Sequence, residues 1–471
     1  MARAKGKNPF LSGFLTGLAV GLALAVAVAL LVTRNNPFVD KNLEAASGTA
    51  APASPVEAPR YEFYRPPPAR DTAAAPAAAP VHNWTALKAL AERYVAERKV
   101  AGMIIGVGNG DAPAFYTHAG TLGLQRETPV DAKSIWRIYS MTKPVTGVLA
   151  AQMISEGALG LDQPIADILP AFKAMRVAID PANSLEARAA SSPITIRHLL
   201  THTAGFTYHF QPGAVGKAYR RFGLMPGIRS VGRETGDGES PSSLQAFANA
   251  VAELPLVADH RTTWHYSIAL DVLGAVIEKA AGKSFETVLQ DRLLTPLAMH
   301  DTGFAVPAAS MDRLATNYLL QSNNLVPIDT PPKTEYAVPA SFPAGGGGLA
   351  STADDYMRFM RMVANGGRYA GTQIISPEAA KLAVSNLLPA GVFYEGNQGY
   401  GAGRRVVIAP GPGLIPGSYG WGGAAGTLAS ALPAQRLSVV LMTQYMPQQA
   451  YPLPEELGKA LAADLGVQVG A

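Results

Sequence analysis

Apolar residues recur at helical spacing from Trp84 to Lys99, where Leu87, Leu90, Ala91, Tyr94 and Val95 fall on one face. Two short runs with strand character follow, Met103–Gly108 and Ala114–Ala119. Asn109-Gly110-Asp111 between them is a hairpin signal. Ser134–Ile138 reads as a third strand, and Val145, Leu149 and Met153 at four-residue intervals predict a helix after it. Asp271–Ala281 is amphipathic through Val272, Leu273, Val276 and Ile277, and stops at Gly282. Near the C-terminus Thr427–Ala431 and Leu437–Thr443 read as strands and Pro454–Leu465 as a helix. Residues 155–250 hold helical pieces broken by turns, including a Gly/Pro/Ser-rich stretch from Gly213 to Ser243 expected at a pocket rim. Strands at both ends and helices between them predict an α+β fold, with one antiparallel sheet built from both chain ends, flanking helices and a mostly helical middle subdomain.

The N-terminus follows another pattern. Arg3, Lys5 and Lys7 precede an uncharged run from Phe10 to Val32, 23 residues. At ~1.5 Å per residue this is long enough to cross ~30 Å of hydrocarbon as a transmembrane helix. Leu30-Leu31-Val32-Thr33-Arg34 is a poor cleavage sequence. Residues 1–34 are therefore expected to be a retained anchor with the N-terminus inside, the alternative being a signal whose cleavage releases a secreted protein. Either way the remainder is expected outside the cytoplasm, on the periplasmic or extracellular side. Gly13, Gly17 and Gly21 share one helix face, as ordinary membrane-helix glycines or as a close-approach face. Residues 35–81 read as a semi-extended linker, since positions 41–80 hold 13 Ala and 8 Pro. Tyr61, Phe63 and Tyr64 interrupt it. The globular domain is expected over 82–471.

Composition narrows the chemistry. The absence of Cys excludes disulfides, thiolate metal sites and a thiol nucleophile, so a covalent nucleophile has to be Ser, Thr, Lys or a carboxylate. A net charge of +4, with no massed basic stretch, gives no case for nucleic acid.

Ser140-Met141-Thr142-Lys143 is the strongest chemical signal. Helical i,i+3 spacing brings the hydroxyl and the amine together, and hydroxyl attack at neutral pH needs such a base. A helix N-terminus at Ser140 favours developing negative charge, and Pro144 is tolerated in a first turn. An isolated S-x-x-K is also compatible with a surface Ser and Lys.

The context of this motif resembles the serine β-lactamase and penicillin-binding-protein superfamily, especially its class C and esterase branches, from about residue 83 to 465. The resemblance is carried by Glu156–Asp162 with Pro164, by Ile194–Phe206 (ITIRHLLTHTAGF), by Tyr266-Ser267 ahead of the 271–282 helix, and by Gly346-Gly347-Gly348-Leu349-Ala350-Ser351-Thr352 with Asp354. It implies a β-lactamase/transpeptidase-like fold, an acyl-serine enzyme and no metal or organic cofactor. It makes Tyr266 the second catalytic candidate, taking and returning a proton beside Lys143. Which of Lys143 and Tyr266 acts first stays open.

Two departures favour an uncharged ester over a lactam or peptide. Trp421-Gly422-Gly423-Ala424 stands where the superfamily carries Lys-Thr-Gly, and resembles family VIII carboxylesterases. By that resemblance Trp421, Gly422 and Gly423 contact substrate, and the N–H groups of Ser140 and Ala424 form an oxyanion hole. Ile268 replaces the pattern's Asn, removing an amide that would orient Lys143.

The expected function is ester hydrolysis through acyl-Ser140. The alternatives are a penicillin-binding or D-amino-acid peptidase, a β-lactamase-like amide hydrolase, an acyltransferase, and an anchored non-catalytic scaffold. Arg404 or Arg405 is the candidate carboxylate-binding cation for the peptidase. The expected partners are a small ester or amide and the membrane; the oligomeric state stays open. His198 and His202 lack the glutamate of H-E-x-x-H and read as structural, and Gly345–Gly348 is no P-loop. Asp354-Asp355 reads as a helix N-terminal pair, and His260 and His265 as pocket-lining or structural.

Overall fold

The structure, a computed structural model, describes residues 83–226, 238–396, 398–410 and 415–466. The expected anchor, the three glycines on its face, the linker and part of the 213–243 stretch lie outside these residues. Among the described residues no helix is long and apolar enough to cross a membrane.

A seven-stranded antiparallel sheet joins the two ends of the domain. Its strands are β1 (Gly102–Asn109), β2 (Phe115–Gly120), β3 (Gln398–Tyr400), β4 (Arg405–Val407), β5 (Tyr419–Gly422), β6 (Leu428–Leu432) and β7 (Leu437–Met442). Their spatial order is β3-β4-β5-β6-β7-β1-β2, with Ile104 opposite Met442 where first and last meet. β3 to β5 have no counterpart in the sequence-based expectation, because at three or four residues each they are too short for a two-residue alternation to register. Ser134–Ile138 is a strand only over Ile135–Arg137, and it pairs with Ala350–Thr352 outside the main sheet.

Five helices matter for the site. They are α1 (Thr85–Ala96), α2 (Thr142–Ser155), α3 (Ala269–Ala281), α4 (Ala353–Ala364) and α5 (Leu453–Asp464). β1 is buried on both faces. Met103, Ile105 and Val107 join the core formed with α1 and α5. On the other face Gly106 and Gly108 leave room for α4, since a Cβ would stand 3.1 and 2.8 Å from Met357. α2 is apolar all round, and its residues from Thr142 to Ala151 are buried. The spacing of Val145, Leu149 and Met153 therefore marks only one side of a helix that is core on every side.

The short strand before α2 is fixed by charge. Arg137 is fully buried and donates through Nε to Asp329 Oδ2 at 2.6 Å, through Nη1 to the Ala315 carbonyl and through Nη2 to Thr334 Oγ1. Removing one partner leaves the other charge uncompensated in the interior. Asp329→Ala is expected to lower stability by about 3–5 kcal/mol in chemical denaturation. A loss below about 1 kcal/mol would show that Arg137 does not anchor this strand.

Candidate active site

Ser140 lies in a 3₁₀ turn, Tyr139–Met141, that runs into α2, so the helix proper begins two residues later, at Thr142. Tyr139 takes a left-handed backbone, φ 41°, which a non-Gly residue holds only under constraint. The constraints are visible. Tyr139 Oη accepts from Asn317 Nδ2 at 2.9 Å, Ile138 N–H donates to the Leu349 carbonyl, and Tyr356 Oη donates to the Met141 carbonyl.

Three of the expected groups meet at one oxygen. Lys143 Nζ donates to Ser140 Oγ at 3.1 Å, and Tyr266 Oη donates to it at 2.7 Å. Lys143 is 1% exposed and Tyr266 3%. The amine also stands 4.6 Å from the centre of the Tyr266 ring and 5.5 Å from that of Tyr208. A hydroxyl bonded to an amine and a phenol in a buried setting can lose its proton to either as it attacks.

The Gly-rich segment supplies what Ile268 lacks. Lys143 Nζ donates to the Gly346 carbonyl at 2.6 Å, and Gly346 N–H donates to Asp271 Oδ1 at 2.8 Å. Thr146 Oγ1 donates to the Gly345 carbonyl, and Leu349 N–H donates to Thr142 Oγ1. A Cβ on Gly346 would sit 2.4 Å from Asp271 Oδ2. Ile268 itself is buried ahead of α3. Gly346 and Asp271 were missed from sequence because backbone carbonyls leave no residue signature and Asp271 reads as an ordinary first-turn acid. Burial raises Asp271 to about 6 against the opposing pull of the Lys143 charge.

Aromatic residues form the wall. Trp421, expected to contact substrate, lies within β5 together with Gly422. It packs against Tyr266 at 5.9 Å and Tyr400 at 5.2 Å, while Trp264 packs against Tyr394 at 4.7 Å. His202 lies against Tyr266 at 4.9 Å and accepts from Ser267 N–H. Burial, then the charge of Lys143, lowers its pKa well below the ordinary value and keeps it neutral. A cleft lined by Met225, Ser240, Phe304, Tyr336 and Phe342 opens beside Gly348.

Gly423 and Ala424 form the turn after β5 and stand against the Tyr139–Met141 turn. A Cβ on Gly423 would be 2.4 Å from the Ile138 carbonyl and 2.2 Å from Thr427 Oγ1. Ala424 packs beside Tyr139 and Ala425. Its N–H makes no hydrogen bond among the described residues.

Arg404 is displaced from the role suggested for it. It is fully buried, donates to the Pro144 carbonyl at 3.0 Å and lies over the rings of Tyr419 and Phe359. It therefore braces α2 and does not face substrate. Arg405 opposes the burial-driven rise of Tyr394, at the aromatic wall. His198 Nδ1 accepts from Thr195 N–H, His260 Nε2 meets Ser192 Oγ at 2.5 Å, and His265 Nε2 is 3.4 Å from Thr207 Oγ1. Asp354 pairs with Arg358, and Asp355 accepts from Asp301 N–H and Thr302. Among the described residues no cluster of His, Asp and Glu could hold a metal ion.

Known proteins agree with this architecture. Residues 87–463 match the Beta-lactamase family. Protein Rv1367c of Mycobacterium tuberculosis is 34% identical over 340 residues, 68% of this chain and 79% of that protein. Esterase EstB of Burkholderia gladioli is 29% identical over 377 residues, 76% of this chain and 89% of the esterase. Among solved structures, EstCE1, described as a hydrolase with promiscuous acyltransferase activity, superposes with a TM-score of 0.65 at 24% identity, covering 80% of this chain and 97% of that one.

Two substitutions probe the geometry. Tyr266→Phe removes the 2.7 Å bond to Ser140. It is expected to lower kcat roughly 10²–10⁴-fold with little change in KM, and an unchanged kcat would exclude a proton role for the phenol. Gly423→Ala forces its turn away from Ile138. Steady-state kinetics should show kcat/KM down at least about tenfold, the scale of a disturbed oxyanion donor, and wild-type kinetics would exclude close approach of this turn.

Proposed function

The chain belongs to the beta-lactamase family, and on that premise we propose that it cleaves carboxylic esters through an acyl-Ser140 intermediate. It is a serine hydrolase of the β-lactamase fold. The observation that carries the reading is the convergence of Lys143 and Tyr266 on Ser140 Oγ in a buried setting.

In this mechanism Ser140 Oγ attacks the ester carbonyl carbon and its proton passes to the Lys143–Tyr266 pair. The N–H groups of Ser140 and Ala424 donate to the developing oxyanion. The alkoxide leaves with the proton returned by the pair. Water, deprotonated by the same pair, then attacks the acyl-enzyme and regenerates the hydroxyl. Apolar, uncharged esters suit the aromatic wall of Trp421, Trp264 and Tyr394, and the similarity to an esterase supports that choice. An alcohol in place of water gives acyl transfer from the same intermediate.

The lactam and peptide readings need a cation for the substrate carboxylate. Arg404 is committed to Pro144, which leaves Arg405 beside Tyr394 as the residue that would favour them.

The domain organisation belongs to the same proposal, with an anchor over 1–34, a linker over 35–81 and the hydrolase over 82–471. The apolar run from Phe10 to Val32 and the Ala/Pro-rich stretch after it support placing the hydrolase outside the cytoplasm.

The test uses the full chain purified in detergent, a fluorophosphonate probe and p-nitrophenyl butyrate. Labelling and turnover are expected in the wild type and absent from Ser140→Ala. Labelling without ester turnover would favour the peptidase or acyltransferase. Neither, in folded protein, would favour a non-catalytic scaffold.

A further inference from the structure

Asp271 is buried in the first turn of α3, beyond Gly346 as seen from Lys143, and the mechanism above gives it no part. It is 1% exposed. Its Oδ1 accepts the Gly346 N–H at 2.8 Å, its Oδ2 has no hydrogen-bond partner, and Gly346 fits against it only because it lacks a side chain. The carbonyl of the same Gly346 accepts from Lys143 Nζ at 2.6 Å. A buried carboxylate with an unpartnered oxygen is costly to maintain as structure alone.

We propose that Asp271 is a positioning residue for the Lys143 amine. Its carboxylate clamps Gly346, whose carbonyl fixes Lys143, and its buried charge attracts the amine that takes the Ser140 proton. The inference rests on the serine-nucleophile reading and deepens it.

The groups facing the amine are the Ser140 hydroxyl, the phenols of Tyr266 and Tyr208, and the neutral ring of His202. Those facing Asp271 are the Gly346 N–H, Lys143 and Tyr208. A negative charge here attracts the Lys143 ammonium. Burial raises Asp271 to about 6, so its charge is in place through the neutral range. Removing that charge removes this attraction, and the acid limb of the reaction is expected to move to lower pH.

Asp271→Asn is the direct test, because the amide oxygen can still accept from Gly346. The readout is the rate of fluorophosphonate labelling of the full chain against pH, which reports activation of Ser140 without requiring ester turnover. The acid limb is expected to move down by about one pH unit. An unmoved limb in folded Asp271→Asn would overturn the inference. Should that variant fail to fold, Gly346→Ala keeps the charge but breaks the clamp. It is expected to label at least about tenfold more slowly at every pH with the limb in place, and wild-type labelling by Gly346→Ala would overturn the inference. A wild type that does not label would sink the serine-nucleophile reading itself, and this inference with it. Wild-type labelling together with an unmoved limb in folded Asp271→Asn would sink the inference alone.

Discussion

A lysine amine 1% exposed to solvent has to be held by oxygen atoms, and most of the site can be read as the means of holding Lys143. One oxygen is Ser140 Oγ, three residues back along the chain; another is the Gly346 carbonyl, 203 residues further on. The first contact follows from helical spacing. The second requires the Gly-rich segment to lie against both α2 and α3, which the Thr146, Thr142 and Asp271 hydrogen bonds secure. Burial also makes the chemistry sensitive to charge, because an amine out of water responds to each neighbouring group more strongly than one in solvent.

The fold meets this constraint by placing α2 in the core. A helix apolar on every side cannot slide or rotate without exposing some of that surface, so its first turn is a rigid mount. Arg404 braces it from behind through the Pro144 carbonyl, and Arg137 ties the preceding strand to Asp329. The left-handed Tyr139 then turns the chain so that Ser140 meets the β5 end of the sheet. Strain at the residue before Ser140 persists because Asn317, Leu349 and Tyr356 hold the turn in place.

The candidate site residues and the main elements were legible in the sequence, most of them through short-range patterns. Ser140 and Lys143 announce themselves by spacing, Tyr266 by the family resemblance of its surroundings, and the two ends of the sheet by β-rich runs. The holding groups were not legible. Gly346 acts through its backbone, and Asp271 acts only through the loop brought against it. Tyr394 and Tyr400 reach Trp421 through a sheet edge of short strands with no periodicity. Arg404 looked like a free cation from sequence and is instead walled in by Tyr419 and Phe359, which only the tertiary packing reveals.

The account stands or falls on a covalent bond at Ser140. Mixing the full chain with a slowly deacylating ester, quenching in acid and mapping tryptic peptides by mass spectrometry measures it directly. The account predicts one acyl increment on the peptide that begins at Ile138 after Arg137, fragmenting to Ser140. Turnover with the acyl group on another residue, or with no acyl-enzyme under conditions where deacylation limits the rate, would contradict it.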